Sequence, residues 1–425
     1  MGKWPAILGA AALCSLLCVS CGRGSSSSSS VKVPAPTPAA PTFTLDEDVN
    51  PYTGLAKTEG YPEGQRGVAV MLGNMKEDLP QSGLNAADLV YEMITEGGIT
   101  RLMAVYRDRS ALPLVGPLRS ARDQHVQLMI PLNCLYVHIG GSSYALDVLD
   151  AFHFTDVQSI NGRYKNFYWI DAERRRTRSQ ENSVYTDGST LENALERYGL
   201  ETEGEPDPVF NFQPYGEAPR ALEDGTAYSL SFRFSPYEDV RFDYSTEDGR
   251  YYKSEFGQPQ LDAADGGRQY RVDNVFLLFT SIGRYPDGLL SQVNLEQGAG
   301  FYFSQGRYER VRWMKGRGEA PLRIVDDEGR EQDVTVNPAE DYPSSGSSYT
   351  ETPSGGQTTT VTDTGDATIT QETDTDYSYT LNGGDATLDD LLNSNENDNI
   401  GVDSSTTTVI SAEVKNDEGW DQVID

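Results

Sequence analysis

Apolar residues recur in regular patterns only between about residue 46 and residue 340, so only this stretch of the chain can bury a hydrophobic core. It is preceded by a run of serines at Ser25–Ser30 and a Pro/Ala-rich run, and it is followed by a tail rich in Thr, Ser, Gly and Asp. Segments of such composition bury too little apolar surface to offset the entropy lost on ordering. We therefore predict a folded body between a disordered tether at 21–45 and a disordered acidic tail at 341–425.

Residues 1–20 have the pattern of a secretory signal peptide. Lys3 precedes an apolar stretch at 4–19, which is shorter than the ~20 residues of a membrane-spanning helix. The segment Leu17–Gly22 at the end of this stretch resembles the bacterial lipobox, with apolar and small residues before Cys21, although Cys18 stands where a leucine is usual. We predict that the signal peptide is cleaved after residue 20 and that Cys21 is lipidated. The lipid would anchor the body at the outer face of the cytoplasmic membrane, and cleavage without lipidation is the alternative.

Charge and motif content argue against several classes of function. The chain has 34 basic and 65 acidic residues and a formal net charge of −31, which disfavours nucleic acid as a partner. The tail from Glu340 onward contributes 19 of the acidic residues and a single basic residue, Lys415. The predicted body has one cysteine, Cys134, and no G-x-S-x-G or H-E-x-x-H motif. A disulfide framework, a serine hydrolase and a zinc protease are therefore disfavoured.

Residues 46–200 alternate predicted strands and helices, which indicates an α/β or α+β domain. A hairpin is expected where Gly97 and Gly98 separate two apolar strands. Ser120, with Asp123 three residues on, has the spacing of a capping box and predicts the start of a helix. The strands are predicted at 67–72, 87–94, 101–106 and 134–139, with an irregular strand at 112–118, and the helices at 121–130, 144–152 and 190–198.

Residues 201–225, rich in Glu, Pro and Gly, are predicted to form a linker. Beyond them, short alternating segments separated by Asp-Gly, Gly-Gly and Gln-Gly turns predict a smaller, mostly β domain at 226–340. A short helix at Leu388–Leu392 is the single element expected within the tail. The strands of the β domain are predicted at 228–234, 240–244, 251–254, 272–280, 300–304 and 307–314.

Several longer motifs become recognisable when they are taken together. NPYTGL begins at Asn50, PQSGLNAADLVYEMITEGGITR at Pro80, VGPLRSAR at Val115 and ENSVYTDGSTL at Glu181. In this order they resemble the YerB-like family of lipoproteins, a two-part domain of unknown function found mainly in Gram-positive bacteria. The resemblance spans most of residues 50–335. It implies a lipoprotein with a two-part body, and it assigns no biochemical activity.

Arg119, Ser120 and Arg122 lie where the irregular strand leads into the predicted helix. The free N–H groups of a helix start, the helix dipole and two guanidinium groups together suit an anion. Arg101 follows the predicted hairpin and could add a third cation. We predict a cleft that binds phosphate or carboxylate. The alternative is that Arg119 and Arg122 form structural ion pairs with nearby carboxylates, of which Glu92, Glu96 and Asp123 are the candidates.

A second junction follows the strand that ends near His138. Gly140 and Gly141 precede a helix that begins near Ser142, and such a glycine turn offers backbone N–H groups to an anion. If both junctions lie at the carboxyl ends of neighbouring strands, they would share one crevice. His138 alternates with apolar residues, so a hydrogen-bonded histidine in the core is the alternative to a ligand-binding role.

Two kinds of function are compatible with these features. The first is a noncatalytic module, without a cofactor, that binds an anionic wall component or a partner protein in the cell envelope. The second is an enzyme, because Asp88 before a strand, the run Arg119–Asp123 and the glycine turn are similar to the LytR-CpsA-Psr phosphotransferases. That similarity implies arginines on a pyrophosphate and a divalent metal held by Asp88. An apolar channel beside the arginines would favour the enzyme, and its absence would favour the binding module.

Overall fold

The structure, a computed structural model, describes residues 48–152, 154, 156–158, 166–316 and 318–336, and the backbone of five strands between 356 and 424. The predicted signal peptide, Cys21 and the tether lie outside the described residues. None of the helices in the described part is long and apolar enough to cross a membrane.

A five-stranded sheet forms the centre of the first part, with the strand order β2-β3-β1-β4-β5. Its strands are β1 Val68–Gly73, β2 Leu89–Ile94, β3 Thr100–Tyr106, β4 Leu135–His138 and β5 Asp156–Gln158. β2 and β3 form the antiparallel hairpin that the sequence predicts, whereas β1, β4 and β5 run parallel to one another. Every residue of β1 is buried, because both faces of the sheet are covered, and its sequence is accordingly an unbroken apolar run.

Three α-helices cover the two faces of this sheet. They are α1 Asp123–Met129, α2 Ser143–Ala151 and α3 Gly188–Tyr198. α1 and α2 pack on one face and α3 packs on the other. Asp187 caps α3 by accepting a hydrogen bond from the N–H of Thr190 at 2.7 Å, and Gly199 ends the helix in the left-handed conformation.

The capping box predicted for α1 is wrong. The helix begins at Asp123, its N-cap is Arg122, and no side chain caps it. Ser120 lies before the helix, where its carbonyl oxygen accepts a hydrogen bond from Arg101. Ser120 and Asp123 have the spacing of a capping box, but Ser120 is not the N-cap residue, so its side chain does not cap the helix.

The segment 112–118 is irregular, as its two prolines predict. Pro113 and Pro117 lack the N–H groups that a regular ladder requires. Single bridges instead pair Val115 with Thr186 and Leu118 with Leu72. Beside this segment lies a short antiparallel pair, β6 Trp169–Ile170 and β7 Val184–Tyr185.

The second part consists of short, mostly antiparallel strands. Its two larger sheets have the orders β10-β11-β12-β13 and β17-β20-β21-β22. The prediction of an α/β part followed by a mostly β part is confirmed. The strands are β8 Asn211–Phe212, β9 Gly225–Thr226, β10 Ser229–Ser235, β11 Glu238–Ser245, β12 Arg250–Glu255, β13 Gln258–Pro259, β14 Leu261–Asp262, β15 Arg268–Gln269, β16 Arg271–Val272, β17 Asn274–Leu278, β18 Ile282–Arg284, β19 Ser291–Val293, β20 Gln297–Ser304, β21 Arg307–Met314, β22 Arg323–Val325 and β23 Asp333–Val334.

The segment 201–225 connects the two parts and packs against both. Val209, Phe210 and Phe212 are buried in one hydrophobic cluster with Met71 of the first part and Trp313 of the second. Within the segment, β8 pairs in parallel with β23 at the end of the second part. The connection is thus a packed element, and the two parts share a core.

Cys134 is a buried, free cysteine in that core. Its Sγ lies 3.0 Å from the hydroxyl of Tyr52, and burial raises the pKa of the thiol to about 12. The thiol is therefore protonated at neutral pH, and the side chain packs as a small apolar group.

Five strands of the tail are described by their backbone alone. They are β24 Gly356–Asp363, β25 Ala367–Leu381, β26 Gly384–Ala386, β27 Ile400–Lys415 and β28 Asp421–Ile424. They pair in the order β24-β25-β27-β28, with β26 on β25. The many threonines of the tail favour extended backbone. The tail has few apolar side chains that could form a core, and disorder was predicted for this reason. The helix predicted at Leu388–Leu392 falls outside the described residues.

Candidate functional site

The two junctions singled out in the sequence lie side by side in the structure. The N–H of Ala121 donates to the carbonyl of Gly140 at 3.0 Å, and the N–H of Ile139 donates to the carbonyl of Arg119 at 3.0 Å. Ala121 and Gly141 form a parallel bridge. Both junctions therefore stand at the carboxyl edge of β1 and β4, which is the usual ligand edge of such a sheet.

The glycine turn builds the connection between β4 and α2. Gly140 has a φ of 76°, and a Cβ on it would lie 3.1 Å from the Oγ of Ser120, so both backbone and space favour glycine. Ser142 is the N-cap of α2, and its Oγ accepts from the N–H of Ala145 at 3.1 Å. The N–H of Ser142 donates to the carbonyl of Ala121 at 3.2 Å. At least one N–H of the predicted anion nest is thus bound within the protein.

Glu96 occupies the position between Arg101 and Arg122. Arg122 donates from Nε to one carboxylate oxygen at 2.7 Å and from Nη2 to the other oxygen. Arg101 donates to Glu96 at 3.0 Å and to the carbonyl of Ser120 at 2.9 Å. Both guanidinium groups are largely buried. Of the three partners that the sequence left open for Arg122, Glu96 is the one it uses, and Arg101 shares this carboxylate.

Glu96 and Arg101 are both charged at neutral pH. Burial acts to raise the pKa of Glu96, but the hydrogen bond from Arg122 and the two positive charges lower it to about 2. Burial and the charge of Arg122 lower the pKa of Arg101 to about 10. Arg101 and Arg122 therefore share one counter-ion, and both are held by the protein itself.

Arg119 has a different environment. Its Nη1 donates to Glu181 at 2.7 Å, and its Nη2 lies 3.4 Å from Asp78. The Asp78 side chain is fully buried, whereas the Glu181 side chain is 71% exposed. With Arg101, these residues line a crevice of ≈ 220 Å³. Asp78 and Glu181 were missed in the sequence, since no local spacing links either of them to Arg119.

His138 does not reach this crevice. Its ring is fully buried, with Nδ1 at 2.7 Å from the carbonyl of Gly140 and Nε2 at 2.9 Å from Asp156. The ring also packs against that of Tyr136, with centroids 4.8 Å apart. Both ring nitrogens have protein partners, which is the arrangement of a core histidine.

Asp88 lies just before β2, and its carboxylate accepts hydrogen bonds from two neighbouring groups. Its two oxygens accept from Asn50 Nδ2 at 3.0 Å and from the N–H of Arg107 at 2.7 Å. Burial raises the pKa of the carboxyl. Asp88 belongs to no group of three acidic, histidine or cysteine ligands among the described residues.

A buried cluster of three carboxylates joins the two parts of the body. Glu92 of β2 lies with Glu238 and Glu255 of the second part, and Lys253 stands among them at 2.6 Å from Glu92 and 3.2 Å from Glu255. Asn74 adds a donor 2.9 Å from Glu92. The cluster contains no local sequence signal, because its members come together only when the two parts pack.

The carboxylates of this cluster compete for positive charge. Burial, and then the negative charge of Glu92, raise the pKa of Glu238 to about 7. Burial likewise raises the pKa of Glu255 well above its ordinary value. Lys253 supplies one internal cation for three acidic groups, so the cluster retains protons near neutral pH.

A second cavity, of ≈ 520 Å³, lies between β2 and the second part. Its walls are mainly aliphatic and aromatic, and they include β2 from Leu89 to Met93 and β17 from Asn274 to Leu278. It shares no lining residue with the crevice at Arg119. It is therefore not an apolar channel lined in common with the arginines.

Comparison with known proteins gives two successive family matches. The N-terminal domain of a family described as "Protein of unknown function (DUF3048)" matches residues 52–201, and the C-terminal domain of that family matches residues 230–340. "Putative lipoprotein YerB" of Bacillus subtilis (strain 168) is 28% identical over 273 residues, which are 63% of this chain and 78% of that protein. The crystal structure of the Bacillus subtilis YerB protein superposes with a TM-score of 0.57 at 25% identity, over 68% of this chain and 93% of that one.

Proposed function

The chain belongs to the two-part DUF3048 family, as its motifs predict, and from that membership we propose a lipid-anchored surface protein whose body binds an anionic component of the cell envelope. The name of the Bacillus relative as a lipoprotein supports an anchor at Cys21. In this proposal the protein stands on the outer face of the cytoplasmic membrane. The ligand is a phosphate- or carboxylate-bearing wall component, or a partner protein with such a group, and no cofactor takes part.

One observation carries the binding proposal, namely the pairing of Arg119 with an exposed carboxylate. The Glu181 side chain is 71% exposed, so water screens its attraction to Arg119 and competes for its carboxylate. An external anion can therefore take the place of Glu181 at little cost. Asp78 remains beneath Arg119 and keeps its own bonds to Asn182 at 2.6 Å and to the N–H of Met75 at 3.0 Å.

Arg101 and Arg122 have a supporting role in this proposal. Their charges are held by Glu96, so they contribute long-range attraction and hold the wall of the crevice in place. Arg119 is the cation that a ligand meets directly. The crevice of ≈ 220 Å³ has room for a phosphate or carboxylate group beside Arg119.

The test is a titration of the chain that starts at Gly22 with a glycerol phosphate oligomer. Arg119→Gln should weaken binding about tenfold or more, since a hydrogen bond to a charged group is worth about 1.5–3 kcal/mol. Glu181→Gln should strengthen binding, because it removes the internal competitor for Arg119. Arg176→Gln makes the same change of charge at an exposed site outside the crevice and should leave affinity unchanged.

Two results would contradict the proposal. One is binding by Arg119→Gln that equals binding by the wild type, and the other is an equal loss in Arg176→Gln, which would indicate general charge attraction. Thermal unfolding should show Arg119→Gln near the wild type, so that a loss of affinity is not a loss of fold.

The phosphotransferase alternative finds no support in the described residues. Asp88 is bonded to Asn50 and Arg107 and belongs to no ligand group. The single three-carboxylate group found there, with Glu92, encloses Lys253 and lies in the packed contact between the two parts. The enzyme is therefore not the function that the geometry favours.

A further inference from the structure

The crevice at Arg119 and the buried cluster of three carboxylates are connected by two residues, Asn74 and Thr100. Both residues line the crevice, and both donate hydrogen bonds to the cluster. The side-chain nitrogen of Asn74 lies 3.1 Å from Glu238 and 2.5 Å from Glu255. The backbone N–H of Thr100 donates to Glu238 at 2.7 Å. Glu238 therefore touches both of the side chains that separate the cluster from an anion in the crevice.

The cluster has more acceptors than donors. Four oxygen atoms, three of them from carboxylates, lie within 3.1 Å of the side-chain nitrogen of Asn74, which carries only two hydrogens. Lys253 pairs with Glu92 and Glu255, and no cation of the described part pairs with Glu238. A buried carboxyl group without a counter-ion favours its protonated form. Glu238 is therefore the member of the cluster that gains a negative charge only as the pH rises.

The groups that face Glu238 come from both parts of the body. Glu92 lies on β2, while Lys253 and Glu255 lie on β12, and they are the charged members of the cluster. Burial, and then the charge of Glu92, raise the pKa of Glu238 to about 7. The charged residues that line the crevice are Asp78, Arg101, Arg119 and Glu181.

A negative charge on Glu238 acts directly on an anion in the crevice. Salt screens charges within packed protein much less than charges at the surface. At an effective dielectric constant of ~20, two like charges ~7 Å apart repel strongly enough to lower an affinity by more than about tenfold. The coupling is reciprocal, so an anion in the crevice makes Glu238 harder to deprotonate.

We propose that anion binding at Arg119 is linked to a proton on Glu238, so that the crevice holds its anion tightly while Glu238 is neutral and weakly once Glu238 is charged. This link rests on the anion-binding function proposed above and adds the regulation of the same site. The carboxylate cluster binds no ligand itself. It sets the electrostatic potential of the crevice through the contacts of Asn74 and Thr100, and the protein takes up a proton when the anion binds near neutral pH.

The first test measures affinity at pH 5.5 and at pH 8. The probe is a glycerol phosphate oligomer with both ends blocked as diesters, so that its own charge is the same at the two values. Wild-type affinity should fall about tenfold or more between them. Glu238→Gln has no carboxyl proton to lose and should keep at pH 8 the affinity that it has at pH 5.5. Glu247→Gln makes the same change on an exposed turn and should lose affinity as the wild type does.

The outcomes separate the proton link from the binding site. Binding that needs Arg119 but has the same affinity at both pH values would overturn the link and leave the anion site in place. An equal decline in Glu238→Gln and the wild type would also overturn it. A failure of the oligomer to bind at either pH would overturn both the link and the proposed function.

The second test counts the protons directly. Titration calorimetry of the wild type at pH 7, in two buffers of different ionisation enthalpy, should show net proton uptake on binding, and Glu238→Gln should show none. Because the count is made on the wild type, it remains decisive even where Glu238→Gln folds poorly. Binding without proton uptake in the wild type, or the same uptake in a folded Glu238→Gln, would refute the link.

Discussion

Arg122 binds both carboxylate oxygens of Glu96, and Arg101 adds a third donor to the same group. Glu96→Gln leaves two largely buried guanidinium groups without a counter-charge. We expect it to lower the free energy of unfolding by about 3 kcal/mol, as measured by chemical denaturation. Glu63→Gln removes an exposed partner of Lys57 and, as the control, should change stability by less than about 1 kcal/mol.

The same carboxylate should limit stability in acid. Its pKa is lowered to about 2 from an ordinary value of 4.5, so its stabilising effect is complete above about pH 4.5 and disappears as the pH falls toward 2. The wild type should therefore lose more stability than Glu96→Gln between pH 4.5 and pH 2. Parallel curves of unfolding free energy against pH for the two proteins would contradict this expectation.

Glu238 should change the pH dependence of stability with the opposite sign. Its pKa is raised to about 7, so its stabilising contribution is complete below the ordinary glutamate value and is lost as the pH rises from about 5 to 7. The loss is at most about 1.4 kcal/mol per pH unit. Glu238→Gln should flatten the decline in thermal midpoint over this range. Glu247→Gln, on an exposed turn, should decline as the wild type does.

Local signals were sufficient for much of the first part. β1 is an unbroken apolar run, Gly97 and Gly98 mark the β2–β3 hairpin, and Asp187 caps α3. Each of these depends on residues within one element or one turn. The sequence accordingly predicted these elements to within about two residues, which is the usual uncertainty of an element boundary.

The contacts of the site depend on distant residues and could not be predicted in the same way. Asn74 meets Glu255, 181 positions away in the chain, and no spacing rule covers that distance. The ion pair between Arg101 and Glu96 is easier to predict from the sequence than the contact between Asn74 and Glu255. Arg101 lies opposite Met93 in the ladder, so Glu92 projects to the other face of the sheet, and only Glu96 in the hairpin loop remains in reach.

His138 should contribute to stability and not to binding. His138→Leu leaves Asp156 without its ring partner, whereas the carbonyl of Gly140 keeps its bond from Ala121. The expected loss is about 1–3 kcal/mol in unfolding free energy. Affinity for the glycerol phosphate oligomer should not change. A loss of affinity in a variant that retains its fold would return His138 to the ligand site.

Cys21 lies outside the described residues, and its lipidation stays a prediction. Cys21→Ala should abolish labelling by a radioactive fatty acid and release the protein from the membrane fraction into the medium. Cys18→Ala should remain labelled, because Leu17 before that cysteine suits the signal peptidase less well than Ser20 before Cys21. Label that persists on Cys21→Ala would refute the assignment.

The core shared by the two parts makes folding a joint event. Met71 of β1 and Trp313 of β21 belong to one buried cluster, which the connecting segment also enters through Phe212. Either part alone would expose one wall of this cluster to water and would lose the apolar contacts that stabilise it. The two halves are therefore expected to unfold as one cooperative unit despite their different architectures.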